Sequence, residues 1–141
     1  MKSFHAAANI AATPQQVWEI LVQTEDYPDW DPGMVRVAGR LAHGEKVKFF
    51  TKFSPERAFG VTVTTFEPGQ KMVLTGGLPL GLFKSERTHT LEPGAAGTTA
   101  FRTEEIFSGI LLPIFGRSLP DLTASFEAFV AGLKQRAESA A

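Results

Sequence analysis

The sequence has no cysteine, which excludes disulfides and thiolate metal sites and fits a reducing compartment. It also lacks a basic excess. Its 14 Lys and Arg residues stand against 15 Asp and Glu, a formal net charge of -1, so a phosphate backbone is not an expected partner. Long apolar runs are missing too: the longest, Gly109 to Phe115, is broken by Pro113 and falls well short of the roughly 20 residues of a membrane span. No apolar stretch follows Lys2, so no signal peptide is read and a cytoplasmic location is the default expectation. The histidines, His5, His43 and His89, form no helical pair and adjoin no carboxylate run at ligand spacing. Neither a metal nor another cofactor is expected.

What is present suits one domain, residues 1–141. Ser3 to Ala11 reads as a strand, followed by Thr13-Pro14-Gln15-Gln16 with the chemistry of a helix start: Thr13 can cap, Pro14 suits the first helical position and Gln16 closes a capping box. Val17, Trp18, Ile20 and Leu21 give that short helix one apolar face, ending near Glu25, and Asp26 to Pro32 reads as a loop or a broken second helix. From Met34 to Ser108 the pattern alternates with period two, broken at Gly44, Pro55, Pro68-Gly69, Gly76-Gly77 and Pro93-Gly94, which predicts a meander of about six more strands. In Glu45 to Phe53 the odd positions face inward, and Lys46, Lys48 and Lys52 form a solvated face rather than a binding patch. After Gly109 helical spacing returns, with Leu119, Leu122, Phe126, Phe129, Val130 and Leu133 on one stripe. The fold class is therefore α+β: a curved antiparallel sheet of about seven strands wrapped around a long C-terminal helix, with two short helices after the first strand. A helix laid across so curved a sheet can leave volume between them.

The hairpin of Phe83 to Leu91 and Thr99 to Phe107 carries an unexpected face. With Lys84, Glu86, Thr88 and Thr90 outward on one strand and Arg102 and Glu104 outward on the other, the inward set is Phe83, Ser85, Arg87, His89, Leu91 and Thr99, Phe101, Thr103, Glu105, Phe107. Three ionisable groups share the face that should be apolar. With Leu91 opposite Thr99, His89 opposes Phe101, Arg87 opposes Thr103, and Arg87 and Glu105 become diagonal neighbours roughly 7–8 Å apart. Unpaired buried charge costs several kcal/mol, so these groups should meet each other, trapped water or a ligand. A structural ion pair near an open rim is the plainer alternative, and His89 reads more readily as a hydrogen-bonded wall residue than as a base. Trp30 and Tyr27, in a proline-rich loop, are candidates for the rim of a cavity or for anchors of the loop to the core. The stretch Ile110 to Phe115 reads first as a buried lead-in to the final helix, with a lid or partner surface as alternatives.

The element order, together with Tyr27-Pro28-Asp29-Trp30-Asp31-Pro32, Thr90-Leu91-Glu92-Pro93, Gly97-Thr98-Thr99 and Glu105-Ile106-Phe107-Ser108-Gly109-Ile110-Leu111, resembles the helix-grip fold of the SRPBCC or START-like superfamily, in its polyketide cyclase/dehydrase-like branch. The resemblance spans nearly the whole chain and implies an internal cavity for lipids, polyketides or other hydrophobic molecules, in carriers and enzymes alike. Many relatives would carry histidine at the position of Arg87 and an apolar aromatic at that of His89. The first expectation is non-catalytic binding of a small hydrophobic molecule. Trp30, Phe49, Phe53, Phe59, Phe83, Phe101, Phe107, Phe126 and Phe129 would supply the apolar lining and rim, and Arg87, His89, Thr103 and Glu105 the polar contacts. The second is an aromatase/cyclase-like enzyme in which Arg87 stabilises an enolate oxygen and His89 or Glu105 moves a proton. A protein-interaction module using Ile110 to Phe115 is the third, and a homodimer is compatible with all of them.

Overall fold

The computed structural model describes residues 1–52, 54–115 and 121–140. Strand β1 (Lys2–Ile10) leads into helix α1 (Pro14–Val22), a single 3-10 turn (Thr24–Asp26) and helix α2 (Tyr27–Trp30). Strands β2 (Met34–Ala38), β3 (Lys46–Thr51), β4 (Ser54–Glu67), β5 (Lys71–Leu78), β6 (Phe83–Pro93) and β7 (Thr99–Ser108) follow, then helices α3 (Leu112–Phe115) and α4 (Thr123–Ala140). The strands form one antiparallel seven-stranded sheet in the order β1-β7-β6-β5-β4-β3-β2. The chain thus meanders from β2 to β7, and β1 closes the far side beside β7.

Local chemistry accounts for the elements. Thr13 Oγ1 accepts from the Gln16 amide at 3.2 Å and Gln16 Oε1 accepts from the Thr13 amide at 2.8 Å, the reciprocal capping box that the sequence predicts. α1 turns Val17, Trp18 and Leu21 into the core. α4 buries Phe126, Phe129, Val130, Leu133 and Ala137, the spacing of one helical face, and lies chiefly along β1 with lesser contacts to β7, α1 and α2. Gly132 permits the closest approach: a Cβ there would collide with the Trp30 carbonyl, so only glycine lets α4 sit against the end of α2.

Three sequence expectations change. The β6–β7 register differs by two residues: Pro93 opposes Thr99, Leu91 opposes Phe101, His89 opposes Thr103 and Arg87 directly opposes Glu105. The turn is tighter than assumed, closed by the Gly94 amide donating to the Thr98 carbonyl at 2.8 Å and the Thr98 hydroxyl to the Ala95 carbonyl at 2.7 Å. A shift of two keeps every side chain on its face. The predicted break at Gly76-Gly77 moves to Pro79–Leu82, because β5 stays paired with β6 through both glycines to Leu78. At Gly77 (φ 121°) a Cβ would strike the Phe83 carbonyl, so glycine is what keeps the strands together there. Finally, the apolar lead-in to the last helix is not uniformly buried. Leu112 is closed off, but Ile110 is 74% exposed, since its amide is tied to the outer turn, donating to the Gly81 carbonyl at 3.2 Å. Phe53 and Leu119, both assigned inward from the sequence, lie outside the described residues.

Candidate functional site

The sheet brings the three ionisable residues of the inward face together. Arg87 lies across from Glu105, and His89, two residues along β6, lies across from Thr103. Arg87 Nε donates to Thr103 Oγ1 at 3.1 Å. Its guanidinium carbon sits 4.3 Å from the Phe126 ring centroid and 4.7 Å from that of Phe129, so two helix aromatics hold the charge by cation–π attraction. Part of the Arg87 side chain remains accessible, but Nη2 is enclosed and has no partner. Among the described residues Arg87 forms no ion pair, with Glu105 or any other carboxylate. Burial lowers the Arg87 pKa from its ordinary value, with the charges of Glu105 and Asp31 opposing that shift.

His89 is fully covered, stacked 5.4 Å from Phe129 and 5.8 Å from Phe101. Burial, and secondarily the positive charge of Arg87, hold its pKa well below the usual imidazole value; His89 is neutral at physiological pH, and its Nδ1 has no partner. Glu105 is half-buried. Burial raises its pKa and Arg87 pulls it back down. A third enclosed polar atom without a partner is Trp30 Nε1, an indole donor. Trp30 is buried against Phe129 at 5.2 Å and Tyr27 at 4.7 Å, so it anchors α2 to the core, one of the two roles the sequence left open. Side chains of Arg87, His89 and Trp30 all surround Phe129, and each retains an unsatisfied polar atom. Buried polar atoms are normally paired, so the three unpartnered atoms around this one ring set it apart from the rest of the described core.

The predicted apolar lining divides. Phe101, Phe107, Phe126 and Phe129 are buried, Phe49 and Phe83 half-buried, and Phe59 is 52% exposed. The exposure of Phe59 corrects its assignment to the covered lining. Phe59 keeps inward parity, opposite Phe49, but lies beyond the Val61–Gly76 pair where cover runs out. A surface recess of about 560 Å³ adjoins this end, bounded by β3 to β6 and the Pro79 turn, with Lys46, Lys48, Gly60, Gly77, Leu78 and Lys84 in its lining. Phe83 belongs to it; Arg87, His89 and Glu105 do not.

Sequence reasoning missed Asp31. It is buried at 6% exposure in the segment after α2, where its Oδ1 accepts from the Gly33 amide at 3.1 Å. Burial raises its pKa, against the pull of the Gly33 amide, Arg87 and Lys52. The available signal was its place two residues before Gly33, the spacing of an Asx turn. The Tyr27 hydroxyl is occupied in donating to the Leu21 carbonyl. Among the described residues no group of three His, Cys, Asp or Glu side chains could hold a metal ion, and no helix is long and apolar enough to cross a membrane.

A family model described as polyketide cyclase/dehydrase and lipid transport matches residues 1–138. The chain belongs to that family. This membership suggests a ligand-binding or cyclase role and supports the helix-grip assignment made from element order. Similar solved structures include a protein of Mesorhizobium loti, at 21% identity, 95% coverage of both chains and a TM-score of 0.73. A START superfamily protein from Mycobacterium smegmatis is 14% identical over 99% of both chains, with a TM-score of 0.71. The di-domain ARO/CYC protein BexL of the BE-7585A biosynthetic pathway is 15% identical with a TM-score of 0.73; the match covers 98% of this chain and 47% of BexL. At these identities the likeness concerns the fold alone. No curated protein matches the chain.

Proposed function

We propose that the protein binds a small, largely apolar molecule within the grip of sheet and helix, with one carboxylate or carbonyl oxygen of that molecule accepting from Arg87. The observation that carries this reading is the guanidinium itself: pinned by Thr103, Phe126 and Phe129, without an ion pair, and with Nη2 enclosed and unpartnered. A charged donor in low dielectric gains most from an acceptor brought in by a ligand, and the surrounding aromatics favour an apolar body behind that acceptor. Family membership supports the same class of ligand.

Titration with a fluorescent polyene fatty acid tests the reading. Saturation at one site is expected, with the methyl ester bound more weakly and Arg87→Met lowering affinity for the acid by about thirtyfold, the size of a lost charge-assisted hydrogen bond. No binding by folded protein, or equal affinity of wild type and Arg87→Met, would remove the proposal.

A second reading has its own support. His89 is a neutral imidazole with a free Nδ1, two residues from a cation able to stabilise an enolate oxygen, which is suited to proton transfer next to a carbonyl. Native mass spectrometry of protein from its own host would find the retained molecule, and its mass after hours with excess protein separates the two. Conversion lost in His89→Gln favours catalysis, and an unchanged mass favours binding.

A further inference from the structure

Of the six large apolar side chains exposed among the described residues, four cluster; Met1 and Val35 are the other two. Phe59 at 52%, Leu78 at 46%, Leu80 at 91% and Ile110 at 74% all lie at one end of the sheet. Phe59 and Leu78 both fall beyond the Val61–Gly76 pair, Leu80 is in the turn after Leu78, and the Ile110 amide is bonded to Gly81 in that turn.

The turn makes Leu80 harder to explain as filler. Leu82 donates back to the Pro79 carbonyl at 3.3 Å, and the two central residues, Leu80 and Gly81, have φ of 63° and 71°. Hairpin turns with two positive φ values favour Asn-Gly or Gly-Gly, and a branched apolar side chain in the first place is disfavoured by its backbone. Leu80 therefore satisfies neither its local conformation nor the core. Beside it, Lys46 and Lys48 make no ion pair among the described residues, and Lys84 reaches Glu86 at 3.4 Å. These lysines line the recess together with Leu78 and Pro79, although alternation alone marks Lys46 and Lys48 as ordinary solvated positions.

We infer that this end of the molecule, Leu80 and Ile110 at its apex and Lys46, Lys48 and Lys84 behind them, is a docking surface for an anionic lipid bilayer. A bilayer offers both complements at the right depths, an apolar layer for the apex and negative headgroups for the lysines above it. A second copy of the chain does not. A twofold contact through the apex would bring the lysine groups of both copies toward one seam, with no acidic residue in the recess lining to offset them, which is unfavourable.

The test is co-sedimentation of the full chain with vesicles of phosphatidylcholine, alone and mixed with phosphatidylglycerol. Wild type should partition onto the mixed vesicles and much less onto the neutral ones, with binding weakened by salt. Leu80→Asn, which suits the turn better than leucine does, should keep the fold, and combined with Ile110→Ser it should reduce partitioning about tenfold or more. Lys46→Gln with Lys48→Gln should reduce it by a similar factor and remove most of the salt dependence. Failure of the wild type to bind either vesicle, equal binding to both, or unchanged binding by the variants would each overturn the proposal. So would a wild-type dimer in sedimentation equilibrium that Leu80→Asn dissociates. The test is independent of the interior site: vesicle binding can fail while the fatty-acid titration succeeds.

Discussion

The two ends of the sheet's inward face obey different rules. At one end, Leu91 and His89 on β6 and Phe101 and Thr103 on β7 are buried beneath Phe129 and its neighbours on α4. At the other, Ser85, Phe83 and Glu105 on the same strands are only half-buried, and Phe59 and Leu78 on β4 and β5 are exposed. Sequence parity is the same at both ends. The difference lies in what covers them: α4 runs along β1, and its first inward aromatic, Phe126, touches Phe4 and Arg87. Arg87 stands at the boundary: toward Leu91 the inward positions of β6 and β7 are covered, whereas toward Phe83 they are half-buried except for Phe107, which packs on Phe4. Inward parity therefore marks a face, while the helix decides which part of that face is core and which stays open.

The sharpest way to break this comparison is truncation at each end. Phe101→Ala should cost about 3–5 kcal/mol, the transfer of a buried ring plus the cavity left behind, whereas Phe59→Ala should cost less than about 1 kcal/mol because half of that ring is already in water. Urea unfolding measures both, and equal losses would show that the open end is as packed as the closed one. Acid should single out the closed end next. Burial holds the folded His89 pKa well below 6.5, so as pH falls through that value the unfolded chain gains a proton that the folded chain refuses, and stability is lost. The raised pKa values of Glu105 and Asp31 act oppositely, since the folded state then takes up their protons first. The difference between wild type and His89→Gln isolates the imidazole: as pH falls below 6.5, wild type should lose stability more steeply than the variant. Parallel pH profiles of the two proteins would mean that His89 is solvated when folded.

Much of this contrast was already written in the sequence. Period-two alternation assigned Arg87, His89 and Glu105 to the inward face, and the helical stripe found Phe126 and Phe129, because side-chain direction in regular elements depends on neighbours along the chain. The β6–β7 register depended instead on how the Gly94–Thr98 turn closes, a matter of three-dimensional hydrogen bonding, and the alternation is blind to a shift of two. Gly76-Gly77 looked like a turn because glycine usually marks one. Here glycine is needed for close approach between paired strands. Asp31 and the exposure of Phe59 were least legible, since each is set by which distant segment lies over it.

Residues at the boundary supply a finer test. Arg87 and Glu105 face each other directly yet form no ion pair within the described residues, so their interaction is charge acting across a gap. A double-mutant cycle in urea with Arg87→Met and Glu105→Gln should give a coupling of about 1 kcal/mol, above the roughly 0.3–0.5 kcal/mol error of additivity and below the 3–5 kcal/mol of breaking a closed buried pair. A value inside the additivity error would place Arg87 on the open, water-screened side of the boundary. A value near the upper figure would close the gap and leave no guanidinium donor for a ligand.

The smallest effect concerns the far tip of the open end, where apolar character and stability should part company. In the closed end, replacing an apolar side chain with a polar one removes packing and strands a polar group, and both changes destabilise. At Leu80 neither penalty applies. The side chain is 91% exposed, and its φ of 63° is a conformation that asparagine adopts more readily than leucine. Leu80→Asn should therefore raise the unfolding free energy by about 0.5–1 kcal/mol, through relief of the turn rather than through any new contact. A midpoint shift to higher urea at unchanged slope would carry that signature. A loss of more than about 0.5 kcal/mol would show that Leu80 packs against something that supports the fold. The tip would then belong with the closed end, and the reason for an exposed leucine in a strained turn would have to be sought in folding rather than in what the open end touches.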